Sequence, residues 1–290
     1  MLKAIVLGSE GMLGRDVVAA LTALGRPPVA LDIADLDLTD PSAVARIASG
    51  EFGEASWCVN CAAYTAVDRA EEERDAAYTV NAVAPGYVAQ ACLAAGMRLL
   101  HISTDFVFDG EAREPYDEDA APNPLGVYGK SKLEGEEAVI GRGALVVRTA
   151  WLYGPHGKCF PKAMLNAWKA GRTLRVVADQ FGCPTYTAEL ARVVADLMET
   201  EAPAGIYHAA GAEIMSWHVF AQTALNAYAD LHGEGPAPVI EAIRTEDWPT
   251  LVRRPKFSAL SFAKCTALGI APMRPTADCL RDFWSRLSVP

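Results

Sequence analysis

The sequence predicts an α/β fold, a doubly wound parallel sheet with a smaller, mostly C-terminal lobe. Three observations predict it. The apolar run Leu2 to Leu7 is followed by glycines at GxxGxxG spacing (Gly8, Gly11, Gly14) and then by a helical stretch. Short apolar runs alternate with helical segments as far as about residue 150. Past that point the alternation weakens, as expected of a second lobe. The expected division is therefore 1–150 for a first domain and 151–290 for the second lobe, with some segments of the latter returning to the first.

Composition narrows the function. At 290 residues, 51% hydrophobic and 21% charged, the chain is long enough to bury a substantial core. A net charge of −10 argues against nucleic acid or an anionic membrane as the main partner. No apolar run reaches the length of a membrane span, and the first strand begins so early that no signal peptide is expected. Seven cysteines, an odd number scattered through apolar stretches, fit a reducing cytoplasm. Cys58 and Cys61 have CxxC spacing but sit in a strand-like stretch with no second Cys or His pair, so they read as strand residues and no metal site is expected.

Residues 2–7 read as a strand buried on both faces. The glycine turn lets the backbone approach a pyrophosphate. The helix after it, from about Leu13 to Leu24, offers N-terminal N–H groups and a positive dipole end. Strand, turn and helix open a Rossmann-type dinucleotide-binding unit, with GxxGxxG in place of GxGxxG. The next strand, Pro28 to Leu31, ends in Asp32. An acid about 20 residues past the glycines accepts from ribose hydroxyls and repels a 2′-phosphate, which favours NADH over NADPH. Asp37 and Leu38 either border the adenine or belong to a solvated loop. Asp40 is placed to cap a helix from Pro41 to Ala48.

Ser56 to Asn60 is another buried strand. The small residues beyond it, Cys61, Ala62 and Ala63, leave room for a cofactor, with Tyr64 and Thr65 next in line. Glu71 to Ala95 reads as one long helix in which Asn81 is out of place, because a mid-helix amide is neutral to unfavourable. The strand Met97 to Ser103 runs into Thr104 and Asp105, where a hydroxyl can hydrogen-bond a substrate carbonyl. A loop rich in proline and acidic residues leads to Tyr128-Gly129-Lys130-Ser131-Lys132. Residues four apart share a helix face, so Tyr128 and Lys132 point into the same space. A cation there lowers the phenol's pKa and lets it exchange protons near neutrality. Ala144 to Thr149 is expected to close this domain as a sixth strand.

In the second lobe, helices are expected over Phe160 to Ala170, Ala188 to Met198, from a Ser216 cap to about Leu231, Ser258 to Leu268, and Thr276 to Leu287. Extended segments are expected at Leu174 to Val177 and Ile206 to Ala209, and a loop at 179–185. Arg253-Arg254-Pro255-Lys256 is a basic cluster in an acidic chain.

The glycine turn, Thr104 at a strand end and Tyr128xxxLys132 resemble, in order and separation, the extended short-chain dehydrogenase/reductase superfamily. Within it, five motifs resemble the dTDP-4-dehydrorhamnose reductase family. They are Ser103-Thr104-Asp105-Phe106-Val107-Phe108, residues 123–133, Arg148-Thr149-Ala150-Trp151, residues 179–185 and Arg253-Arg254-Pro255. Phe106 replaces the family's tyrosine and is expected to pack rather than react. Ile102 stands where some members carry an aromatic.

The resemblance implies hydride transfer from NADH or NADPH to C4 of dTDP-4-dehydro-L-rhamnose, in nucleotide-sugar and cell-surface polysaccharide biosynthesis. It implies Tyr128 as proton donor, Lys132 as its modulator and ribose ligand, and Thr104 on the 4-keto oxygen. Gly8, Glu10, Gly11, Met12, Leu13, Asp32, Asp37, Leu38, Ala62, Ala63, Tyr64 and Thr65 are expected to line the cofactor. Asp105 and Trp151 are expected to touch the sugar, and Arg253 and Arg254 its diphosphate, the alternative being a solvated basic loop.

Sugar-nucleotide 4,6-dehydratases are excluded, because they follow the threonine with Asp-Glu and this chain has Asp105-Phe106. Two alternatives stay open. One is a reductase of another nucleotide-linked 4-keto-6-deoxy sugar. The other is a non-catalytic NAD(P)-binding subunit like the regulatory β subunit of methionine adenosyltransferase. A homodimer is also compatible with the sequence.

Overall fold

The computed structural model describes residues 3–200 and 202–287. Leu2, which the sequence places at the head of the first strand, and the final residues 288–290 of the second lobe lie outside them.

The first domain follows the expected alternation. It comprises β1 (Ala4–Leu7), α1 (Met12–Ala23), β2 (Val29–Leu31), α2 (Pro41–Ala48), β3 (Trp57–Asn60), α3 (Arg74–Tyr78), α4 (Ala84–Ala94), β4 (Arg98–Thr104), α5 (Val127–Ile140) and β5 (Leu145–Thr149). Asp40 caps α2 through an acceptor bond from the Ser42 N–H, with Pro41 at the first helical position. The remaining elements are β6 (Leu152–Tyr153), α6 (Phe160–Lys169), β7 (Arg175–Val177), β8 (Phe181–Gly182), β9 (Thr185–Tyr186), α7 (Thr187–Glu199), β10 (Gly205–His208), β11 (Met215–Ser216), α8 (Trp217–His232), β12 (Glu241–Ile243), α9 (Ala263–Ala267) and α10 (Thr276–Ser285).

Six parallel strands form the sheet, in the order β10-β5-β4-β3-β1-β2. The period of two along each strand sorts its side chains between two cores. Ala4, Val6, Trp57, Val59, Leu100, Ile102, Leu145 and Val147 face α1 and α7, whereas Ile5, Leu7, Cys58, Leu99 and Val146 face α2, α4 and α5. A third, aromatic core of Tyr153, Tyr186, Phe220, Tyr228, Phe283 and Trp284 holds the second lobe together.

Four expectations are corrected. Ala144–Thr149 is the fifth strand in chain order; the sixth is β10, which returns from the second half of the chain to cover the edge of β5. The helix expected from Glu71 to Ala95 is broken. Arg69–Glu71 is a short 3-10 turn, and a π turn over Thr79–Val83 separates α3 from α4. The bulge sits around Asn81, whose amide reaches outside its own helix, and single-turn π insertions of this kind are frequent at functional sites. The segment expected to be helical from Ser258 is extended at first. Phe257 bridges to Phe181 and Leu260 to Tyr116, which leaves only α9 helical. Finally, the expected loop at 179–185 contributes β8 and β9.

Candidate active site

The strand order reverses at β1: the chain passes outward to β2, then back across to β3. This places a crevice over the carboxyl ends of β1 and β3. Gly8 has φ +70°, and a Cβ on it would lie 2.7 Å from the Ala62 nitrogen. A Cβ on Gly14 would lie 2.0 Å from the Gly8 oxygen, so only glycine lets the turn close on the helix. Gly11 caps α1 without a side-chain bond, and the first turn of α1 carries no acid. Its N-terminal N–H groups are thus left without side-chain acceptors, a donor set that fits a pyrophosphate.

Asp32, at the end of β2, accepts from the Glu10 N–H at 2.8 Å and from the Ile33 N–H at 2.8 Å. The carboxylate therefore braces the glycine turn and keeps lone pairs for a ribose hydroxyl. Glu10 itself is exposed and paired with Arg15. Met12 is partly exposed, while the Leu13 side chain is buried in the core, leaving only its backbone to the turn. Asp37 is turned back on Thr39, accepting from its N–H at 2.9 Å and its hydroxyl at 2.7 Å, and Leu38 packs on the core beneath α2. Neither side chain is directed at the turn, which favours the solvated-loop reading for Asp37.

Ala62, Ala63 and Tyr64 are half-buried along the crevice, and Thr65 is exposed. This stretch is tethered from both sides. The Ala62 N–H donates to Asn60 Oδ1 at 3.0 Å, and the Tyr64 N–H donates to Asn81 Oδ1 at 2.8 Å. Asn81 Nδ2 in turn donates to the Tyr64 carbonyl and to Ser131 Oγ on α5. The amide that looks misplaced in a helix thus joins the cofactor-side loop to the helix bearing Tyr128.

That helix starts without a side-chain cap of its own at Gly126. Instead Glu71 accepts from the Val127 N–H at 2.7 Å, next to Tyr128. Gly129 permits the helix to lie against the turn after β4, since a Cβ there would sit 2.2 Å from the Phe106 oxygen. Thr104, Asp105, Tyr128 and Lys132 are brought together at this junction. Thr104 Oγ1 donates to Asp105 Oδ1 at 3.1 Å and accepts from the Phe106 N–H. Desolvation pushes the Tyr128 phenol up to about 12, with Thr104 acting to lower it and Asp105 to raise it further.

Lys132, expected to depress the phenol, is not among the groups that act on it in this arrangement. Lys132 is buried and its Nζ turns to the Ile102 carbonyl, at 2.7 Å, and to His101 Nε2, at 3.2 Å. Its own pKa is brought down to about 8 by burial, against Glu136 and Cys61, which raise it. Asp105 is likewise buried, which pushes its carboxyl up to about 6 against the Ser258 and Thr104 hydroxyls, which lower it, and its Oδ2 lacks a well-formed hydrogen bond in the protein.

The expected substrate contacts separate. Trp151 is the one non-glycine residue with positive φ (49°) among the described residues, and its ring stacks on Trp217 at 3.6 Å over the face of Gly182. Arg254 pairs with Asp68 at 2.6 Å and lies 5.7 Å from the Phe106 ring, which meets Tyr128 edge-on at 5.4 Å. Arg253 is 65% exposed and pairs with Glu111, directed away from this cluster. Phe106 thus packs, as expected. Asn60, Glu71, His101, Glu136 and Trp217 are site-shaping residues that the sequence reading left unassigned; of the residues tying the site together, only Asn81 carried a visible signal.

The family model of the RmlD substrate binding domain matches residues 2–289. A dTDP-4-dehydrorhamnose reductase from Aggregatibacter actinomycetemcomitans is 38% identical, over 94% of this chain and 95% of its own. A dTDP-4-keto-6-deoxy-D-glucose reductase from Streptomyces niveus is 36% identical, over 98% and 97%. The Bacillus anthracis dTDP-4-dehydrorhamnose reductase, solved in complex with NADP, superposes with a TM-score of 0.90 at 34% identity, covering 98% of this chain and 99% of that one.

Proposed function

The chain belongs to the RmlD substrate binding domain family, and from that membership we propose that it reduces C4 of dTDP-4-dehydro-L-rhamnose with NADH or NADPH, giving dTDP-L-rhamnose. The observation that carries this reading is the meeting of Thr104, Asp105 and Tyr128 at the carboxyl end of β4, beside the cradle of Gly8, Gly11 and Gly14.

The cradle and the uncapped start of α1 suit the pyrophosphate, and Asp32 suits the ribose. The bound dinucleotide supplies the hydride. Thr104 orients the 4-keto oxygen with its hydroxyl and stabilises the negative charge that develops there. Tyr128, protonated throughout the neutral range, donates its proton to that oxygen. The unpartnered Oδ2 of Asp105 accepts from a sugar hydroxyl, a bond that relieves a buried acceptor. Trp151, on its Trp217 platform, walls the sugar, and Arg254 meets the diphosphate once it exchanges Asp68 for phosphate oxygens.

In this reading residues 1–150 hold the dinucleotide and the rest mainly the sugar nucleotide, while α7 and β10 return to the first domain. No helix among the described residues is long and apolar enough to cross a membrane. We place the enzyme in the cytoplasm, where its reduced cofactor is available. A homodimer is the assembly to test first.

The deciding experiment is incubation with dTDP-4-dehydro-L-rhamnose and either NADH or NADPH, followed at the nicotinamide absorbance. Oxidation of the cofactor with formation of dTDP-L-rhamnose is expected; no turnover with this sugar would overturn the assignment. A second reading, reduction of another dTDP-linked 4-keto-6-deoxy sugar, is favoured by the likeness to the Streptomyces niveus reductase. Faster turnover of such a sugar in the same assay would decide for it.

A further inference from the structure

A row of polar groups runs beneath the crevice from β3 to α5. The Ala62 N–H donates to Asn60 Oδ1 at 3.0 Å, and Asn60 Nδ2 lies 3.2 Å from His101 Nδ1. His101 Nε2 lies 3.2 Å from Lys132 Nζ, which donates to the Ile102 carbonyl at 2.7 Å. Asn60, His101 and Lys132 are buried, so they must satisfy one another.

One end of the row fixes the rest. A backbone N–H only donates, so Asn60 must turn its oxygen to Ala62 and its NH2 to His101. An NH2 group cannot accept, so His101 Nδ1 must carry a lone pair. The ring is neutral, because burial drives its pKa well down and Lys132 adds to that. Its single proton is then on Nε2, directed at Lys132. An ammonium has three donors and no acceptor, whereas an amine has a lone pair. Only the amine completes the row without two donors facing each other.

We infer that Asn60 and His101 hold Lys132 as a neutral amine in the free enzyme, and that dinucleotide binding draws Nζ away from His101 together with one proton from solvent. The chemistry is R–NH2 plus H⁺ giving R–NH3⁺, with no other bond made or broken. Once charged, Nζ can no longer face the Nε2–H. The ring cannot answer by moving its proton to Nδ1, because the Asn60 NH2 stands there. Charging and departure are therefore one event. It gives the ribose a cation and brings that cation towards Tyr128, whose phenol is otherwise held high.

The groups facing Lys132 are His101 and the Ile102 carbonyl from β4, Cys61 after β3, and Glu136 on α5. Glu136 is bonded to Arg148 from β5 and to Ser103 from β4, so it makes no hydrogen bond to Lys132 and favours the ammonium only through its charge, which burial outweighs. Burial lowering Lys132 to about 8 makes the amine its main form above that pH, where both tests are made. Asn60 and His101 are positioning residues in this scheme, which rests on Lys132 being the ribose-binding lysine of the proposed reaction.

The first test needs neither substrate nor cofactor. Nitrogen-15 NMR of the free protein at about pH 9, above the depressed lysine pKa, with His101 identified by its loss in His101→Gln, should show a bare Nδ1 and a protonated Nε2. The opposite tautomer overturns the inference. The second is calorimetry of NADH binding in buffers of different ionisation enthalpy, at about pH 9, between the depressed lysine pKa and its ordinary value. Uptake approaching one proton per NADH is expected; none overturns the inference. Asn60→Asp reverses the row, because both carboxylate oxygens accept. It should move the His101 proton to Nδ1 and abolish the uptake. If that variant does not fold, the two wild-type readings still decide. Failure to reduce any sugar nucleotide would instead overturn the proposed reaction and leave the tautomer result standing.

Discussion

Glu136 of α5 and Arg148 of β5 form a two-bonded ion pair whose side chains are each 1% exposed. Arg148 Nε donates to Oε1 at 2.9 Å and Nη2 to Oε2 at 2.6 Å, and Ser103 donates to the same Oε1 at 2.5 Å. The pair lies one turn beyond Lys132 and ties the helix bearing Tyr128 to β5, while the Ser103 bond ties it to β4, the strand that ends in Thr104. Removing one partner leaves a buried charge alone, which costs about 3–5 kcal/mol, whereas replacing both by apolar residues is often neutral. Glu136→Ala should therefore lose about that much stability in urea denaturation. Combining Glu136→Met with Arg148→Met should recover part of the loss. A double variant no more stable than the single one would show that the two charges are not coupled.

Asp32→Ala should weaken NADH binding more than NADPH binding. It removes an acceptor for the ribose, a bond to a charged group worth about 1.5–3 kcal/mol. It also removes the charge that repels a 2′-phosphate. Because Asp32 also holds the Glu10 N–H, some affinity for both forms should be lost. The measurement is the ratio of the two dissociation constants, and an unchanged ratio would place the ribose elsewhere.

What the sequence makes legible divides along the range of the interactions. The glycine turn, the Asp40 cap and the Tyr128–Lys132 helix face are set by neighbours within a turn or two, and the residues themselves announce them. The π turn is different: Asn81 is chosen for Tyr64 and Ser131, 17 and 50 residues away. A local pattern can flag such a residue as unusual without naming its partners. Glu71 reads as a helical residue and in fact caps a helix that starts at Val127. The sixth strand had the right extended character at residues 206–209, but its place beside β5 depends on the packing of α7 against α1. His101 gave no signal because its role depends on a lysine from another element. Sequence order also could not separate Arg253 from Arg254, adjacent residues that the backbone sends in different directions.

That separation makes a prediction. Arg254 is mostly buried beside Phe106 and Tyr128, whereas the Arg253–Glu111 pair is exposed. Arg254→Ala should raise the KM for the sugar nucleotide while leaving NADH affinity unchanged. Arg253→Ala should change KM little, as expected of a surface pair whose contribution is about 0–1 kcal/mol. Equal effects in steady-state kinetics would return both arginines to a common role.

Asp105 should make stability depend on pH in a defined direction. Its folded pKa is raised to about 6 by burial, so the folded state holds a proton that the unfolded chain has released. The stabilisation is fully present below the ordinary carboxylate pKa and is lost as pH rises through about 6. A shift of this size corresponds to something on the order of 3 kcal/mol. Asp105→Asn keeps the shape without the charge. It should flatten this dependence in denaturation curves collected across that range, and should raise KM by removing the acceptor for the sugar. A variant with the wild-type pH dependence would assign it to another group.

Tyr128→Phe is the most direct test of the chemistry. The ring and its edge-on contact with Phe106 are kept, and neither the glycine turn nor Asp32 is disturbed, so NADH should bind with near-normal affinity. The lost proton is the one the C4 oxygen must receive. With the phenol pushed up to about 12, Tyr128 is fully protonated at neutral pH. Loss of a positioned general acid costs about 10²–10⁴ in rate, so kcat should fall by that order. Lys132→Met should also slow turnover, but unlike the tyrosine change it should weaken NADH binding by removing the ribose cation. It should also move the pH dependence of turnover upward, since Tyr128 would lose the charge that approaches it when the cofactor binds. A Tyr128→Phe enzyme turning over at the wild-type rate would remove Tyr128 from the mechanism and require another proton source at the end of β4.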